Sequence, residues 1–258
     1  MNSLPTSTEA NATPDGYLRF TAGKGLVVAR PWAAKALREV VEVETLHDWA
    51  AAQPGRDVMQ GRGACYGVML PAGAEDSPAT PVVVRRNRHG GLLRVLTGEL
   101  FLAPTRAPLE LSNSLRLTAA GIPTPEVVAY ALYPALGSLV RCDVMTRRLP
   151  AGADLPQAWC GADPVARDGM LRGVAGLLRA LAACGAWHPD LNLKNIYLSG
   201  ETAYLLDVDR VLFCPGEDVA ARNLGRLARS ARKWRERWDL DFGEDALARL
   251  ATLAMERM

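Results

Sequence analysis

The chain has 258 residues, 49% of them hydrophobic and 22% charged, which is the composition of an ordinary folded protein with an ample core. Its 30 Lys and Arg residues nearly balance its 28 Asp and Glu residues, for a net charge of +2. The overall charge therefore gives no argument for nucleic acid, and we expect no such partner. The five Cys residues are scattered without C-x-x-C spacing, which argues against a zinc site or a disulfide framework and favours a reducing cytoplasm.

Residues 1–16 are polar and rich in Thr, Asn and Pro, and we predict a disordered tail there. This stretch lacks the basic start and apolar core of a signal peptide. No uninterrupted apolar run in the chain approaches the length needed to cross a membrane. Any contact with a membrane is therefore expected at its surface.

The first half of the chain has the pattern of a small sheet with short helices. A strand or hairpin is predicted within residues 17–32, helical segments within 33–52, and further strands at about 126–133 and 138–146. Residues 61–86 contain two apolar, partly β-branched runs joined by a Pro, Gly and Ser-rich turn. This pattern predicts a β-hairpin with a longer loop.

Gly61 and Gly63 stand directly before that hairpin. Because glycine has no side chain, backbone amides here could approach a phosphate, as they do in glycine-rich nucleotide loops. Taken alone, two glycines fit an ordinary turn before a strand better than a nucleotide loop.

The strand Val82–Val84 runs directly into two arginines. Strand alternation places Arg85 on the face of Val83 and Arg86 on the other face. Arg85 is our candidate cation for nucleotide phosphates, with Arg86 as the fallback; a solvated strand end is the alternative. Glu110, in the first turn of a helix predicted at 107–120, could pair with Arg85, or could simply favour the helix dipole.

A local basic cluster follows the strand. Arg88 and Arg94, with His89 beside a Gly-Gly pair, form a local positive cluster together with Arg85 and Arg86. We assign Arg86, Arg88 and His89 to an anionic substrate. A solvated basic face explains them nearly as well. His89 has no partner at a useful metal-ligand spacing.

The second half of the chain is mainly helical. Residues 147–159 are predicted to be a linker between lobes. Residues 163–185 carry an apolar stripe with arginines elsewhere, which predicts an amphipathic helix. Two terminal helices follow Asp209.

The first terminal helix has an apolar stripe and a separate basic ridge. The ridge is either a solvated face or a contact for anionic lipid head groups. The stripe, expected to be core, is Leu224, Leu227, Ala231, Trp234 and Trp238, and the ridge is Arg222, Arg226, Arg229 and Lys233.

A polar segment between apolar runs, residues 187–210, carries the clearest chemistry. His188, Asp190 and Asn195 fit the pattern H-x-D-x-x-x-x-N, and Asp207 follows a second apolar run. This is the layout of a phosphotransferase centre. Phosphoryl transfer needs a carboxylate to orient and deprotonate the attacking hydroxyl, which suits Asp190, and oxygen ligands for magnesium, which suit Asn195 and Asp207. The alternative is a polar turn whose Asp and Asn side chains bond locally to the backbone.

In this combination of motifs the sequence resembles the Kdo/WaaP lipopolysaccharide kinase family. The likeness covers about residues 55–238. It is carried by GRG at 61–63, VVVRRNRHGGLLR at 82–94, Glu110, WHPDLNLKNIYL at 187–198, LLDVDR at 205–210 and NLGRLARSARKW at 223–234.

The resemblance implies an α+β, eukaryotic-protein-kinase-like bilobal fold, with ATP held between an N-lobe, predicted at 17–148, and a mainly helical C-lobe at 149–258. The N-lobe would contain a small antiparallel sheet. The resemblance also implies transfer of phosphate from ATP, with Mg²⁺, to a hydroxyl of Kdo (3-deoxy-D-manno-octulosonic acid) in Kdo-lipid A, an anionic glycolipid.

The same likeness places such an enzyme peripherally on the cytoplasmic face of the inner membrane, and we infer no obligate protein partner. By position, Asp190 is the base, Asn195 and Asp207 the metal ligands, Arg85 the phosphate cation and Glu110 its partner. Asp207 lies in Asp-Val-Asp instead of Asp-Phe-Gly, and no Ala-Pro-Glu segment follows, which argues against protein substrates.

Three alternatives keep part of this chemistry. A heptose kinase or an aminoglycoside-type phosphotransferase would share the motif and differ in acceptor. A pseudokinase would bind nucleotide without catalysis, although Asp190, Asn195 and Asp207 are all present.

Overall fold

The structure, a computed structural model, describes residues 13–60, 63–72, 78–87, 99–102, 105–216 and 218–256. Most of the predicted tail lies outside these ranges. The described chain divides into two compact units, the first ending at Ser112 and resuming over Glu126–Arg148, the second comprising Asn113–Pro125 and the residues from Leu149 onward. The helix α3 (Ala107–Ala119) contains the first of these boundaries.

The first unit is built on an antiparallel sheet with strand order β1-β2-β7-β8-β5-β4-β3, and β6 pairs with β8 beside it. Two helices, α1 (Ala34–Val43) and α2 (Leu46–Ala52), belong to the same unit. The strands are β1 (Leu18–Ala22), β2 (Gly25–Ala29), β3 (Asp57–Gln60), β4 (Ala64–Leu70), β5 (Thr80–Arg86), β6 (Phe101–Leu102), β7 (Val127–Pro134) and β8 (Leu139–Arg147).

Strand alternation builds the core of this unit. Val82 and Val84 of β5 are fully buried, and they share a cluster with Leu37 of α1 and Leu46 of α2. Both predicted hairpins, in 17–32 and in 61–86, are confirmed. The strand β3 was not predicted. Because β3 pairs with β4, Gly63 lies in the connection between these two strands.

A buried carboxylate joins helix α2 to the sheet. Asp143 of β8 is 0% exposed and accepts a hydrogen bond from the backbone N–H of His47, in the first turn of α2, at 3.0 Å. Arg86 reaches the same carboxylate at 3.0 Å and also donates to Thr45 at 2.6 Å and Asp48 at 3.2 Å. The acid thus accepts from one backbone N–H of the first turn of α2 and from a guanidinium, both favourable partners for a buried carboxylate.

The second unit is mainly helical, with short strand pairs. Its strands are β9 (Ala153–Asp154), β10 (Ala186–Trp187), β11 (Ile196–Ser199), β12 (Thr202–Leu205) and β13 (Leu212–Phe213), and its helices are α4 (Leu155–Trp159), α5 (Pro164–Ala183), α6 (Val219–Trp238) and α7 (Glu244–Met255). The strand β11 lies between β12 and β9, and β10 pairs with β13.

Aspartate caps begin three of these helices. The side chains of Asp154, Asp163 and Asp218 accept hydrogen bonds from the first turns of α4, α5 and α6, which satisfies donors that have no partner within the helix. The stretch predicted as a linker, 147–159, is therefore partly regular, because it contains the end of β8, β9 and all of α4.

The predicted amphipathic helix is confirmed as α5, whose apolar face packs against α6, α7 and β12. In α6 the stripe prediction is right for Leu227 and Ala231, which are buried, and wrong for Trp238, which is 56% exposed. Trp238 packs instead on the ring of Trp234, with centroids 4.4 Å apart. Within the described ranges, no helix combines the length and apolarity required to cross a membrane.

The Arg86–Asp143 pair yields a stability prediction. Replacing Arg86 by Met leaves the fully buried Asp143 without its guanidinium, and we expect the free energy of unfolding to fall by about 3 to 5 kcal/mol. The matched change Arg148→Met breaks an exposed pair with Asp57 and should cost no more than about 1 kcal/mol. Urea unfolding of both variants measures the difference, and equal losses would contradict a supporting role for the buried pair.

Candidate active site

Strand pairing in the second unit places two polar loops side by side. One loop, residues 188–195, joins β10 to β11, and the other, residues 206–211, joins β12 to β13. Because β10 pairs with β13 and β11 with β12, both loops leave the same strand pairs. The backbone N–H of Leu206 donates to the carbonyl of Asn195 at 2.8 Å, which fastens one loop to the other.

His188 connects the two loops from within. Its side chain is 1% exposed; Nδ1 lies 3.2 Å from the Asp190 backbone nitrogen, and Nε2 lies 3.4 Å from the Leu206 carbonyl oxygen. Since the Asp190 N–H can only donate, Nδ1 accepts, and the proton of a neutral ring is on Nε2, where it can reach Leu206. Burial lowers the pKa of His188, against the opposing effects of the Leu206 hydrogen bond and of the Asp207 and Asp190 carboxylates, which favours this neutral form.

Asp190 lies at the surface of the loop between two arginines. Arg210 Nη1 contacts one carboxylate oxygen, Oδ2. Arg226 Nη2 lies 4.0 Å from the other, Oδ1, while its Nε donates to the carbonyl of Pro189 at 2.8 Å. The side chain of Asp190 keeps 36% of its area exposed, so the proposed base is both held in place and open to solvent.

Asn195 and Asp207 fit a magnesium site in their chemistry. Asn195 Nδ2 donates to the backbone carbonyl of Asp190 at 3.2 Å, which leaves the amide oxygen to accept or to ligate. The Asp207 residue is exposed, has left-handed backbone angles and does not cap the 3-10 turn that it precedes. An amide oxygen and a carboxylate are the hard ligands that Mg²⁺ prefers.

One face of α6 supports the loop of residues 188–195, which carries the proposed base Asp190. Asn223 is fully buried; its Oδ1 accepts from the His188 backbone N–H at 3.0 Å, and its Nδ2 donates to the Ala186 carbonyl at 2.9 Å. One turn on, Arg226 bonds to Pro189, and two turns on, Ser230 Oγ accepts from the Leu193 N–H at 3.2 Å. Residues spaced by three and four share a helix face, so these three side chains act on the loop together.

The basic ridge of α6 is therefore not one solvated face. Arg222 lies over the ring of Trp187, 3.4 Å from its centroid, and Arg226 bonds to the loop. Arg229 and Lys233 are exposed. The ridge prediction is right for the second pair and wrong for the first.

The predicted nucleotide residues of the first unit also meet. Arg85 Nη2 contacts Glu110 Oε2, as the sequence predicted, and Arg85 Nη1 donates to Asn87 Oδ1 at 2.8 Å. Glu110 is 5% exposed, so it is a fixed partner for the arginine. A strand cation paired with a helix glutamate is the arrangement by which protein kinases orient a phosphate-binding side chain.

The remaining predicted residues are distributed as follows. Gly63 lies two residues before Cys65, which stands opposite Arg85 in the sheet. Arg86 points to the other face, into the cluster around Asp143, where its ion pairs and hydrogen bonds account for its guanidinium without a substrate. Gly61, Arg88 and His89 lie outside the described residues.

Sequence reasoning missed three residues that contact the loop of residues 188–195. Arg210, Asn223 and Ser230 all lie within stretches that resemble the family, LLDVDR and NLGRLARSARKW, but we assigned them no role. The helical spacing of Asn223 and Ser230 put both on one face. The sequence does not show that this face of α6 packs against the loop of residues 188–195, because that contact joins residues more than 30 positions apart.

The fold is that of the protein kinases, as predicted. A solved structure, WaaP in complex with acyl carrier protein, superposes with a TM-score of 0.50 at 15% identity and covers 86% of this chain and 87% of its own. This likeness, together with the antiparallel sheet and the helical second unit, confirms the α+β, protein-kinase-like fold class.

The family follows from sequence comparison. The model of the lipopolysaccharide kinase (Kdo/WaaP) family matches residues 83–250. The chain therefore belongs to that family, as its motifs predicted, and it is accordingly a kinase.

Curated relatives from several bacteria bear the name 3-deoxy-D-manno-octulosonic acid kinase. A 3-deoxy-D-manno-octulosonic acid kinase of Haemophilus influenzae strain PittEE is 29% identical over 200 residues, covering 74% of this chain and 80% of the relative. The kinase of that name from Photobacterium profundum is 27% identical over 188 residues (71% and 75%). The one from Vibrio vulnificus strain YJ016 is 26% identical over 211 residues (79% and 84%).

Burial of His188 predicts a pH dependence of stability. Because the folded state lowers the pKa of His188, the unfolded chain takes up a proton first as the pH falls. The stability contributed by a neutral His188 is fully present above the pKa of the unfolded chain, about 6.5. It is lost as the pH falls below that value. We expect the free energy of unfolding to fall by up to about 1.4 kcal/mol per pH unit through this window. Chemical unfolding of the wild type and His188→Gln at a series of pH values tests it; parallel slopes in the two proteins would contradict the assignment.

Removing the amide of Asn223 should loosen the catalytic loop. Asn223→Ala leaves the buried His188 N–H and Ala186 carbonyl without partners, at about 1 to 3 kcal/mol for each group. Kinase activity should fall about 100-fold through misplacement of Asp190. Glu236→Ala, on the exposed side of the same helix, should change stability by less than about 0.5 kcal/mol. Chemical unfolding and initial rates of kinase activity are measured for both variants. An Asn223→Ala protein with normal activity would show that other contacts hold the loop.

Proposed function

We propose that the chain transfers the γ-phosphate of ATP to a hydroxyl of Kdo in the inner core of lipopolysaccharide, with Kdo-lipid A as the acceptor. One observation carries the proposal: a hydrogen bond from the Leu206 N–H to the Asn195 carbonyl holds the loop of Asp190 and Asn195 next to the loop of Asp207. The name shared by the curated relatives supports the choice of acceptor.

The proposed chemistry is an in-line phosphoryl transfer. The carboxylate of Asp190 accepts the proton of the acceptor hydroxyl as its oxygen bonds to the γ-phosphorus, and the bond from that phosphorus to the β–γ bridging oxygen breaks to release ADP. Asn195 and Asp207 would hold Mg²⁺, which when bound neutralises charge on the phosphates. Asn195 also donates to the backbone carbonyl of Asp190, so one side chain would serve both the ligand and the base.

Arg85 is the proposed phosphate cation of the first unit. Its pair with the buried Glu110 fixes the guanidinium, and an arginine can contact two phosphate oxygens at once, where a lysine offers a point charge. Gly61 and Gly63 stay proposals for backbone approach to a phosphate. Asn87, which also accepts from Arg85, is a further positioning group.

The same proposal includes the place of action. A glycolipid acceptor would bring the protein to the cytoplasmic face of the inner membrane as a peripheral protein. The exposed part of α6, with Arg229, Lys233 and Trp238, offers cations and an aromatic ring, the side chains that favour a surface of anionic lipid.

Asparagine substitutions separate the proposed roles. Asp190→Asn should lower phosphate transfer by about 10² to 10⁴-fold while leaving ATP affinity within about threefold, because it removes the base alone. Asp207→Asn should instead weaken ATP binding only when magnesium is present. The matched control Asp163→Asn preserves a helix cap and should match the wild type. Full transfer activity in Asp190→Asn would refute the base assignment.

The acceptor is tested in parallel. ADP release is measured with Kdo-lipid A, a heptosylated core and an aminoglycoside, each with ATP and Mg²⁺. We expect turnover on Kdo-lipid A to exceed that on the other two. Turnover confined to the aminoglycoside would overturn the proposed acceptor class.

A further inference from the structure

Asp190 faces two guanidinium groups that differ in how they are anchored. Arg226 belongs to the long helix α6 and is tied through Nε to the Pro189 carbonyl, so its contribution to the loop is structural. Arg210 ends a 3-10 turn and touches the Asp190 carboxylate through Nη1, with 42% of its side chain exposed against 30% for Arg226. The two arginines therefore have different freedom to change partner.

The backbone below Arg210 is fixed even though its side chain is exposed. Asn113 Nδ2 donates to the carbonyls of Val208 at 2.8 Å and Val211 at 3.0 Å, which flank the turn that carries Arg210. With its Cα held in this way, the guanidinium can move by side-chain rotation alone. A short movement would carry it from Asp190 to an anion bound beside the loop.

The ion pair between Arg210 and Asp190 opposes the proposed role of Asp190 as a general base. A guanidinium on Oδ2 occupies one of the two oxygens that could accept the proton of the acceptor hydroxyl. An anion on the acceptor would relieve this conflict by attracting the guanidinium to itself. The acceptor in the proposed function is a sugar acid, which has a carboxylate on the same sugar as its hydroxyls, and a planar carboxylate matches the fork of an arginine.

We propose that Arg210 is a specificity-determining residue that pairs with Asp190 in the resting enzyme and passes to the carboxylate of the acceptor sugar when the acceptor binds. The exchange releases the Asp190 oxygen and places the acceptor hydroxyl next to it. The inference rests on the proposed function, since it assigns a contact to the acceptor at the same site. Arg226 stays on the loop in both states.

The test compares Arg210→Gln and Arg210→Lys with the wild type on two acceptors, one with the free sugar carboxylate and one with that carboxylate converted to its methyl ester. Arg172→Gln is the matched control, because Arg172 pairs with Asp168 on α5 in another exposed arginine–aspartate pair. Initial rates give kcat and KM for each acceptor, ATP hydrolysis is measured without acceptor, and thermal unfolding checks that each variant is folded.

We expect the wild type to prefer the free acid over the ester by about 10 to 100-fold in kcat/KM, the fold-change of one charge-assisted contact. Arg210→Gln should lose this preference mainly through KM for the acid and should hydrolyse ATP faster without acceptor, because no guanidinium of Arg210 then occupies Oδ2 of Asp190. Arg210→Lys should retain part of the preference. Arg172→Gln should match the wild type in every assay.

Three outcomes would overturn the inference. Equal loss on acid and ester would show that Arg210 only supports the loop. An unchanged preference in Arg210→Gln would show that another group binds the carboxylate. If the wild type transfers phosphate to neither sugar, the proposed function fails first, visibly in the wild-type assay, and the assignment of Arg210 fails with it.

Discussion

The antiparallel pairing of β10 with β13, and of β11 with β12, is the constraint on which the proposed active site in the second unit depends. The two loops are separated in sequence only by the β11–β12 hairpin, and both start and end at these strand pairs, so the loop of the proposed base Asp190 lies beside the loop of the proposed ligand Asp207. Asn223 fixes the first loop by bonding on both sides of its start, to Ala186 and to His188. Without the Asn223 amide, the buried backbone groups of Ala186 and His188 would lose these hydrogen bonds, which is costly. This cost holds the loop in one conformation.

Burial separates the framework of the site from its chemistry. His188, Asn195 and Asn223 are buried, and they make hydrogen bonds whose geometry the surrounding core determines. Asp190 and Asp207, by contrast, are partly or fully exposed. The first unit repeats the arrangement, since the buried Glu110 orients the more exposed Arg85. In both units, a buried side chain therefore holds a more exposed one that we propose to meet a ligand: His188 and Asn223 hold the loop of Asp190, and Glu110 holds Arg85.

Sequence reasoning succeeded where the signal is local and failed where it depends on packing. Strand alternation separated Arg85 from Arg86, and first-turn placement made Glu110 a partner for Arg85; the structure confirms both. The role of Arg86 could not be found in this way, because Asp143 lies 57 residues further along and reads as an ordinary strand residue. Asn223 was missed for the same reason, since neither the spacing nor the composition of α6 says which loop it supports. Arg210 was missed because its partner Asp190 lies 20 residues earlier, in the other loop. The strand β3 has four residues and little alternation of apolar and polar side chains, so the sequence pattern did not predict it.

The central claim is that the loop of Asp190 and the loop of Asp207 together transfer phosphate to the sugar acid of a glycolipid. Fragmentation mass spectrometry of Kdo-lipid A, after incubation with the enzyme, ATP and Mg²⁺, tests it most directly. We expect one added phosphate, located on Kdo, with one ADP released for each. Unmodified Kdo, in a reaction where the same enzyme phosphorylates a heptose or an aminoglycoside, would contradict it.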